Sequence, residues 1–256
     1  MNFFSAGKHI DFEGCTLIAP TVSAGNLGQL TVDLLVSTLS LVRVGYLEDD
    51  NVLPCIGNDP YNAEPTGSLA LGLELYSDSK RTIVCLQQRA PAMPGRSRAF
   101  AKNLSKWISA SKFKDVIVLA GVEAAWRTEQ RIGLGFQLRY VCSSSDGKLE
   151  RCEALGWKLL EDEAFVHGFG QLGKDESRSP PWPLFQAIAA GENSPQALAL
   201  MGFVNEGDNI PDALQLATVL ANYLNLEGFG DGSSYQWRIP PSWAHLYGPP
   251  QDDCLY

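Results

Sequence analysis

Three histidines, six cysteines and an excess of carboxylates are the groups from which this 256-residue chain could assemble a reactive centre. A serine nucleophile needs a histidine base within hydrogen-bond reach and a third group to orient it. Ser23 stands just before a glycine turn, where a nucleophile would be presented, but the Gly-x-Ser-x-Gly signature is absent. His9 lies in the N-terminal stretch and His167 in a glycine-rich middle, while His245 follows Trp243 in a Pro- and Trp-rich segment that favours stacking. No triad is expected from these positions. Cys15, Cys55, Cys85, Cys142, Cys152 and Cys254 are scattered, form no Cys-x-x-Cys pair and match no zinc spacing. They read as small buried thiols of a chain that works in a reducing compartment, cytosol or nucleus, without structural disulfides. The pairs Asp49-Asp50 and Asp252-Asp253 and the run Glu161-Asp162-Glu163 belong to solvated surface, because neighbours on a strand or loop seldom converge on one substrate atom. Gly25-Asn26-Leu27-Gly28 follows a strand and opens a helix, a place where free N–H groups often hold phosphate. It lacks the third glycine of a dinucleotide site and the Gly-Lys-Ser/Thr of a P-loop. A tight turn with close helix–sheet packing and a phosphate-binding turn both remain open there. No catalytic residue, metal ligand or cofactor is assigned.

The elements that must carry these groups can be read from hydrophobic period. Thr16 to Ala19 is a short apolar strand ending at Pro20, and about Asn26 to Leu39 is a helix with Leu27, Leu30, Leu34, Leu35 and Thr38 on one side. Leu41 to Leu47 is a second strand, so the chain opens strand–helix–strand, the mark of an α/β fold. Leu69 to Tyr76 and Thr82 to Gln87 pair antiparallel across Ser77–Lys80. Ser97 to Ser111 is a helix with Phe100, Leu104, Trp107 and Ile108 at the right spacing. Asp115 to Ala120 is continuously apolar after its first residue and reads as a central strand. Phe136 to Cys142 and Leu198 to Val204 are further strands. The last feeds Glu206-Gly207-Asp208-Asn209-Ile210-Pro211-Asp212-Ala213, where Asn209 is expected to cap a helix with Pro211 in its first turn. Ile210, Leu214, Ala217, Leu220, Ala221 and Leu224 form its stripe, and Gly228 is the expected stop. Gly57-Asn58-Asp59-Pro60-Tyr61 is a turn by composition.

With 45% hydrophobic and 19% charged residues the chain is globular, and its formal charge of −9 disfavours nonspecific contact with nucleic acid or anionic membrane. The start shows no signal-peptide pattern, and no run approaches the roughly 18 apolar residues of a membrane span. Residues 1–248 read as one α/β domain with a variable, mobile insertion at about 143–194, and 249–256 as a flexible tail. Trp237, Trp243 and Tyr247 fall within eleven positions of one another. Such a segment either folds back onto the core or presents a partner surface, since Trp, Tyr and Arg dominate interface hot spots.

Taken together, several of these pieces resemble the PAC2 family of proteasome assembly chaperones. They are Pro20 through Leu30 with Asp33-Leu34, Val44-Gly45-Tyr46, Gly57 through Tyr61, Glu206 through Ala213, and Trp237 through Trp243. Their collinear order makes the combination specific, with about 87–201 matched poorly. The resemblance implies a single three-layer α/β domain whose mixed central sheet is flanked by helices, similar to that of nucleoside phosphorylases. It also implies a noncatalytic protein that forms a heterodimer with proteasome assembly chaperone 1, binds proteasome α subunits, promotes α-ring assembly and prevents off-pathway ring association in cytoplasm and nucleus. Some relatives end in a hydrophobic residue, tyrosine and any residue. That pattern is displaced by one position here and is carried only to Cys254, Leu255 and Tyr256. Those three, with Trp237, Trp243 and Tyr247, are the expected partner-binding residues. The alternative is a nucleoside phosphorylase- or hydrolase-like enzyme holding phosphate at Gly25–Gly28.

Overall fold

The computed structural model describes residues 1–5, 7, 10–64, 67–80, 82–126, 136–143, 147–160, 182–191, 194–226 and 236–245. Nine strands form one mixed sheet: β1 (Asn2–Ser5), β2 (Thr16–Pro20), β3 (Val42–Glu48), β6 (Leu73–Ser77), β7 (Ile83–Gln88), β8 (Asp115–Glu123), β9 (Leu138–Cys142), β10 (Lys158–Leu159) and β11 (Gln196–Val204). Their order across the sheet is β1-β3-β6-β7-β2-β8-β11-β9-β10, and β4 (Ile56–Asn58) and β5 (Leu69–Leu71) make a separate two-stranded ribbon. The four middle strands β7, β2, β8 and β11 run parallel, and antiparallel strands flank them on both sides. Parallel strands must be covered on both faces, which is why β8 and β11 are apolar almost throughout.

Alternation along β2 divides the interior in two. Leu17 and Ala19 point into a core with Val84, Leu86, Val116 and Val118, covered by helices α2 (Ser97–Ala110) and α4 (Trp182–Ala189). Ile18 points the other way, with Ile117, Leu119, Leu198 and Leu200, under helices α1 (Leu27–Thr38) and α5 (Ile210–Leu224). The short helix α3 (Lys148–Ala154) adds Cys152 to this second core. The result is the expected mixed α/β sheet between helical layers. Of the expected insertion at 143–194, the described residues include α3, β10 and α4; the remainder, with the 249–256 tail, lies outside the described residues.

Several local expectations change. Leu69 to Tyr76 is not one strand: at Gly72 the chain passes from the ribbon to the main sheet, and the Gly72 carbonyl accepts the Arg89 N–H at 2.8 Å. α1 is buried on nearly every side, including Thr31, Val32, Asp33 and Val36, because α5 lies along it. Asn209 does not cap α5. Its Nδ2 donates instead to the Asn205 and Gly207 carbonyls, both at 3.0 Å, and Asp208 Oδ1 accepts the Ile210 N–H at 2.9 Å. Pro211 does stand in the first turn. The helix stops at Asn225, in the left-handed region at φ 51°, with the Leu226 N–H returned to the Ala221 carbonyl. Gly228 lies outside the described residues.

Candidate interaction surface

At the β1–β3–β6 end no helix among the described residues covers the face that α1 covers further along. The β4–β5 ribbon and the turn between its strands lie there instead, fastened by a cluster of charges around buried Glu74. Glu74 on β6 is fully buried, its Oε1 accepting from Arg43 Nη1 at 2.9 Å and its Oε2 from Arg89 Nε at 3.3 Å and from the Tyr76 hydroxyl at 3.0 Å. Asp33, on the buried side of α1, accepts at Oδ1 from the Tyr61 hydroxyl and from Gln87 Nε2, each at 2.6 Å, and from Arg89 Nη2 at 3.4 Å. Two carboxylates thus face two guanidiniums, and a buried cluster of this kind is tolerable only because its charges cancel and its lone pairs are filled. The register of β3 shifts between Arg43 and Gly45, and the Arg43 guanidinium lies 5.0 Å from the centre of the Tyr46 ring.

The electrostatics follow from the crowding. Burial pushes the Tyr61 hydroxyl well above its ordinary pKa, and the Asp33 charge adds to this. Tyr76 is raised in the same way, by burial first and then by Glu74. For Arg89 burial works against the cation, but Asp33, Tyr61, Tyr76 and Glu74 outweigh it and the guanidinium stays charged. These groups hold protons too firmly for acid–base exchange near neutrality; what they do is fix backbone. Arg43 Nη1 donates at 2.7 Å to the Leu69 carbonyl of β5. Tyr61 terminates the Gly57–Tyr61 turn, whose Asp59 carboxylate accepts the Tyr61 N–H at 3.0 Å and Asn62 Nδ2 at 2.6 Å.

Held in this way, the ribbon turns hydrocarbon outward. Ile56 is 66% exposed and Leu69 49%, and across the groove from them Phe4 on the edge strand β1 is 52% exposed. Between ribbon and edge runs a groove of about 560 Å³ lined by Phe4, Tyr46, Leu53, Pro54, Leu71 and Met93, with Glu48 and Asp50 beside them. Sequence period could not find this surface: β1 and β4 are too short to show alternation, and the cluster joins residues from 33 to 89. The one legible signal was the motif set itself, since Asp33, Tyr46 and Gly57–Tyr61 all lie at this end.

The Gly25–Gly28 turn is occupied by protein. A Cβ on Gly28 would sit 2.6 Å from the Leu119 carbonyl oxygen, one on Gly25 2.5 Å from Asn209 Nδ2, and one on Gly121 of β8 1.9 Å from the Ala24 carbonyl oxygen. Ser23 Oγ accepts the Gly121 N–H at 2.9 Å and donates to the Thr21 carbonyl at 3.1 Å. The glycines serve close backbone packing, and nothing here supports a phosphate site. Of the expected partner-binding residues, Trp243 is buried in the core under α1 and α5. Trp237 packs against the same core and donates its indole N–H to Thr218 Oγ1 at 3.0 Å. The segment between them crosses the end of α1, where Arg238 donates to Thr38 and Ser37, and Ser242 N–H reaches the Pro60 carbonyl. Tyr247, Cys254, Leu255 and Tyr256 lie outside the described residues, as do His9 and His167. Among the described residues no group of three or more His, Cys, Asp and Glu could hold a metal ion.

The fold, a mixed sheet between helical layers, is shared with solved proteins. The chain matches the PAC2 family model over residues 17–176. It is 38% identical to a Danio rerio protein named Proteasome assembly chaperone 2, with 96% of each chain covered, and 33% identical to the Homo sapiens protein of that name, with 93% of each covered. Its fold is that of Pyrococcus furiosus PbaA, an archaeal homolog of proteasome-assembly chaperone, with a TM-score of 0.63 and 18% identity over 88% of this chain and 86% of that one. Pyrococcus furiosus PbaB, an archaeal proteasome activator, gives the same TM-score at 12% identity over 88% of this chain and 89% of that one. The chain belongs to the PAC2 family.

Proposed function

We propose that this chain is a proteasome assembly chaperone. In this reading it forms a heterodimer with proteasome assembly chaperone 1, binds proteasome α subunits, promotes α-ring assembly and prevents rings from associating off pathway, in cytoplasm and nucleus. The observation that carries the reading is the end-to-end likeness to relatives that bear this one name. The surface supports it physically. Phe4, Ile56 and Leu69 expose apolar area around one groove, beside a ribbon pinned by the Glu74 and Asp33 cluster, which suits a lasting partner more than a passing one. A second chaperone subunit seated on the ribbon and the β1 edge would bury on the order of 2,000 Å². The charge of −9 then steers the pair toward basic rims of α subunits, adding rate and selectivity more than affinity. The reading keeps Cys254, Leu255 and Tyr256 as the segment that enters an α-subunit pocket. It also keeps Trp237, Trp243 and Tyr247, the first two packed on the core, as partner-binding residues.

Co-expression with proteasome assembly chaperone 1, followed by affinity capture, tests both levels. The expected outcome is a one-to-one complex that also retains α subunits. Replacing Ile56 and Leu69 by lysine, at exposed sites where the fold has no use for their side chains, should release the partner. A pair that survives this double change places the dimer face elsewhere, and a purified pair that retains no α subunit removes the functional reading. Deleting 254–256 should weaken α-subunit capture while leaving the pair intact.

A further inference from the structure

Charge is spread unevenly along this acidic chain. Residues 79–114 hold nine of its 20 Lys and Arg and none of its 29 Asp and Glu, which leaves 11 bases against 29 acids, a net −18, for the rest. The fold sets much of that basic stretch on α2. Phe100, Leu104 and Ile108 point into the core. Lys102 and Lys106 stand two residues on from Phe100 and Leu104, roughly 200° around the helix, and both are exposed. With Arg98 they make an outward ridge in steps of four residues, about 6 Å apart along the axis. Ala99 and Ala110, also exposed, leave the ridge open to close approach. Among the described residues no carboxylate pairs with Lys102 or Lys106. Asp49 is turned to Asn103 Nδ2 at 2.8 Å on the flank of α2, and Glu13 pairs with Lys112 at 3.1 Å beyond its end. The helix also departs from what stability alone favours. Its N-cap is Arg96, which makes no side-chain cap bond, and its first turn holds Arg98 where an acidic residue would complement the dipole. Positive charge is thereby added to the positive end of the helix, and such departures from local rules concentrate where a surface is used.

We infer that the outer face of α2 is a docking surface for an acidic protein segment whose carboxylates fall along Arg98, Lys102 and Lys106. The inference goes beyond the chaperone reading and uses the face of the sheet opposite α1. A protein segment, a nucleic acid and an anionic membrane all carry the right sign, and the observations favour the first. Charges in water act over about 8 Å at physiological salt. A segment no longer than α2 therefore meets the ridge alone. A duplex or a membrane extends past it and meets the rest of the molecule, net −18. Single-stranded nucleic acid needs an aromatic platform on which its bases stack. Trp107 of α2 does not offer one, because it packs against Phe3, Phe12 and Phe113. Contact made by exposed charge sets encounter rate and selectivity more than affinity. An acidic partner, repelled by most of this surface, thus has one place to land.

A fluorescein-labelled oligoglutamate matching the 14 residues of α2 is titrated with the full chain, alone or with its partner, and its anisotropy followed. An oligoglutamine of equal length is the control. The glutamate peptide should bind and the glutamine peptide should not, with affinity falling about tenfold between about 50 and about 200 mM salt. Lys102→Glu combined with Lys106→Glu should lower the affinity by about tenfold or more, at an unchanged melting temperature because both side chains are exposed. Carbodiimide coupling then links bound carboxylates to the amines within reach, and the tryptic map should show Lys102 and Lys106 joined ahead of Lys112 and Lys158. Equal binding by the charge-reversed variant, or coupling spread evenly over the exposed lysines, overturns the inference. So does tighter binding of duplex DNA or phosphatidylserine vesicles at the same ridge. Salt-sensitive self-association abolished by the same reversal would give the ridge to a second copy and overturn it too. The coupling map on the unmodified chain decides the matter even where the variant fails to fold.

Discussion

Under α2 the sheet is closed by Phe100, Leu104 and Ile108, hydrocarbon against hydrocarbon, whereas at the β1–β3–β6 end the same sheet is closed by Glu74, Asp33, Arg43 and Arg89. The two seals differ in what they specify. An apolar layer tolerates repacking as long as volume is conserved, and it defines position only through shape. A buried ion cluster contributes little net stability over a well-packed apolar substitute, yet it has one workable geometry and fails steeply when a member is removed. The polar seal lies beneath the ribbon that presents Ile56 and Leu69. A surface meant to be recognised is thus held by the part of the interior least free to rearrange.

The largest test of that contrast is Glu74→Ala, which leaves the half-buried Arg43 and Arg89 around an empty site. Its expected cost is on the order of 3–5 kcal/mol, read as a lowered urea midpoint. Replacing Glu74, Arg43, Arg89 and Asp33 together by Leu, Met, Met and Asn should recover most of that loss, but loosen the ribbon and speed amide exchange near Leu69. A single change costing under about 1 kcal/mol would show that the cluster does not hold this end. On the apolar side Gly121→Ala is the sharpest probe. The new methyl meets the Ala24 carbonyl oxygen, so the turn must withdraw from β8, with an expected loss of about 1–3 kcal/mol. Unchanged thermal stability there would mean that the turn and strand separate freely. The mildest probe is pH. The Tyr61 and Tyr76 hydroxyls have folded pKa values above the unfolded value of about 10. Their share of stability is therefore complete below about pH 10 and is lost as pH climbs through their folded values. Tyr61→Phe removes one hydrogen bond to Asp33, should cost about 1–2 kcal/mol at neutral pH, and should flatten the alkaline decline in melting temperature. The same alkaline slope in both proteins would exclude Tyr61 as its source.

Period and composition were enough for the middle of the molecule. The strands at Thr16 and Asp115 and the helices beginning at Leu27 and Ser97 fall where apolar spacing puts them, because burial there is continuous and local. The helix after Glu206 was legible from Pro211 and its stripe, but its cap was not. Asn209 is drawn instead to the carbonyls of Asn205 and Gly207 and packs over Gly25, a contact no local rule contains. The ribbon escaped for a similar reason. Ile56 and Leu69 look like core residues in sequence, and only the break at Gly72, which parts the ribbon from the main sheet, goes with their outward face. The Asp33–Glu74–Arg89 cluster is invisible to spacing because its members are ordinary charges in separate elements. Asp33, the one charged residue of α1, was the member that could have drawn attention.

The order of strands also sets a timetable for synthesis. β2 is complete by Pro20, yet its neighbour β8 does not begin until Asp115, and the next rung, β11, not until Gln196. At translation rates of about 5–20 residues per second, roughly ten to thirty seconds separate the emergence of β2 from that of β11. Through that interval the nascent chain carries the apolar side of α1 that α5 buries in the finished fold, with that cover not yet made. A polypeptide that belongs to a family of assembly helpers is thus, while on the ribosome, in need of help itself.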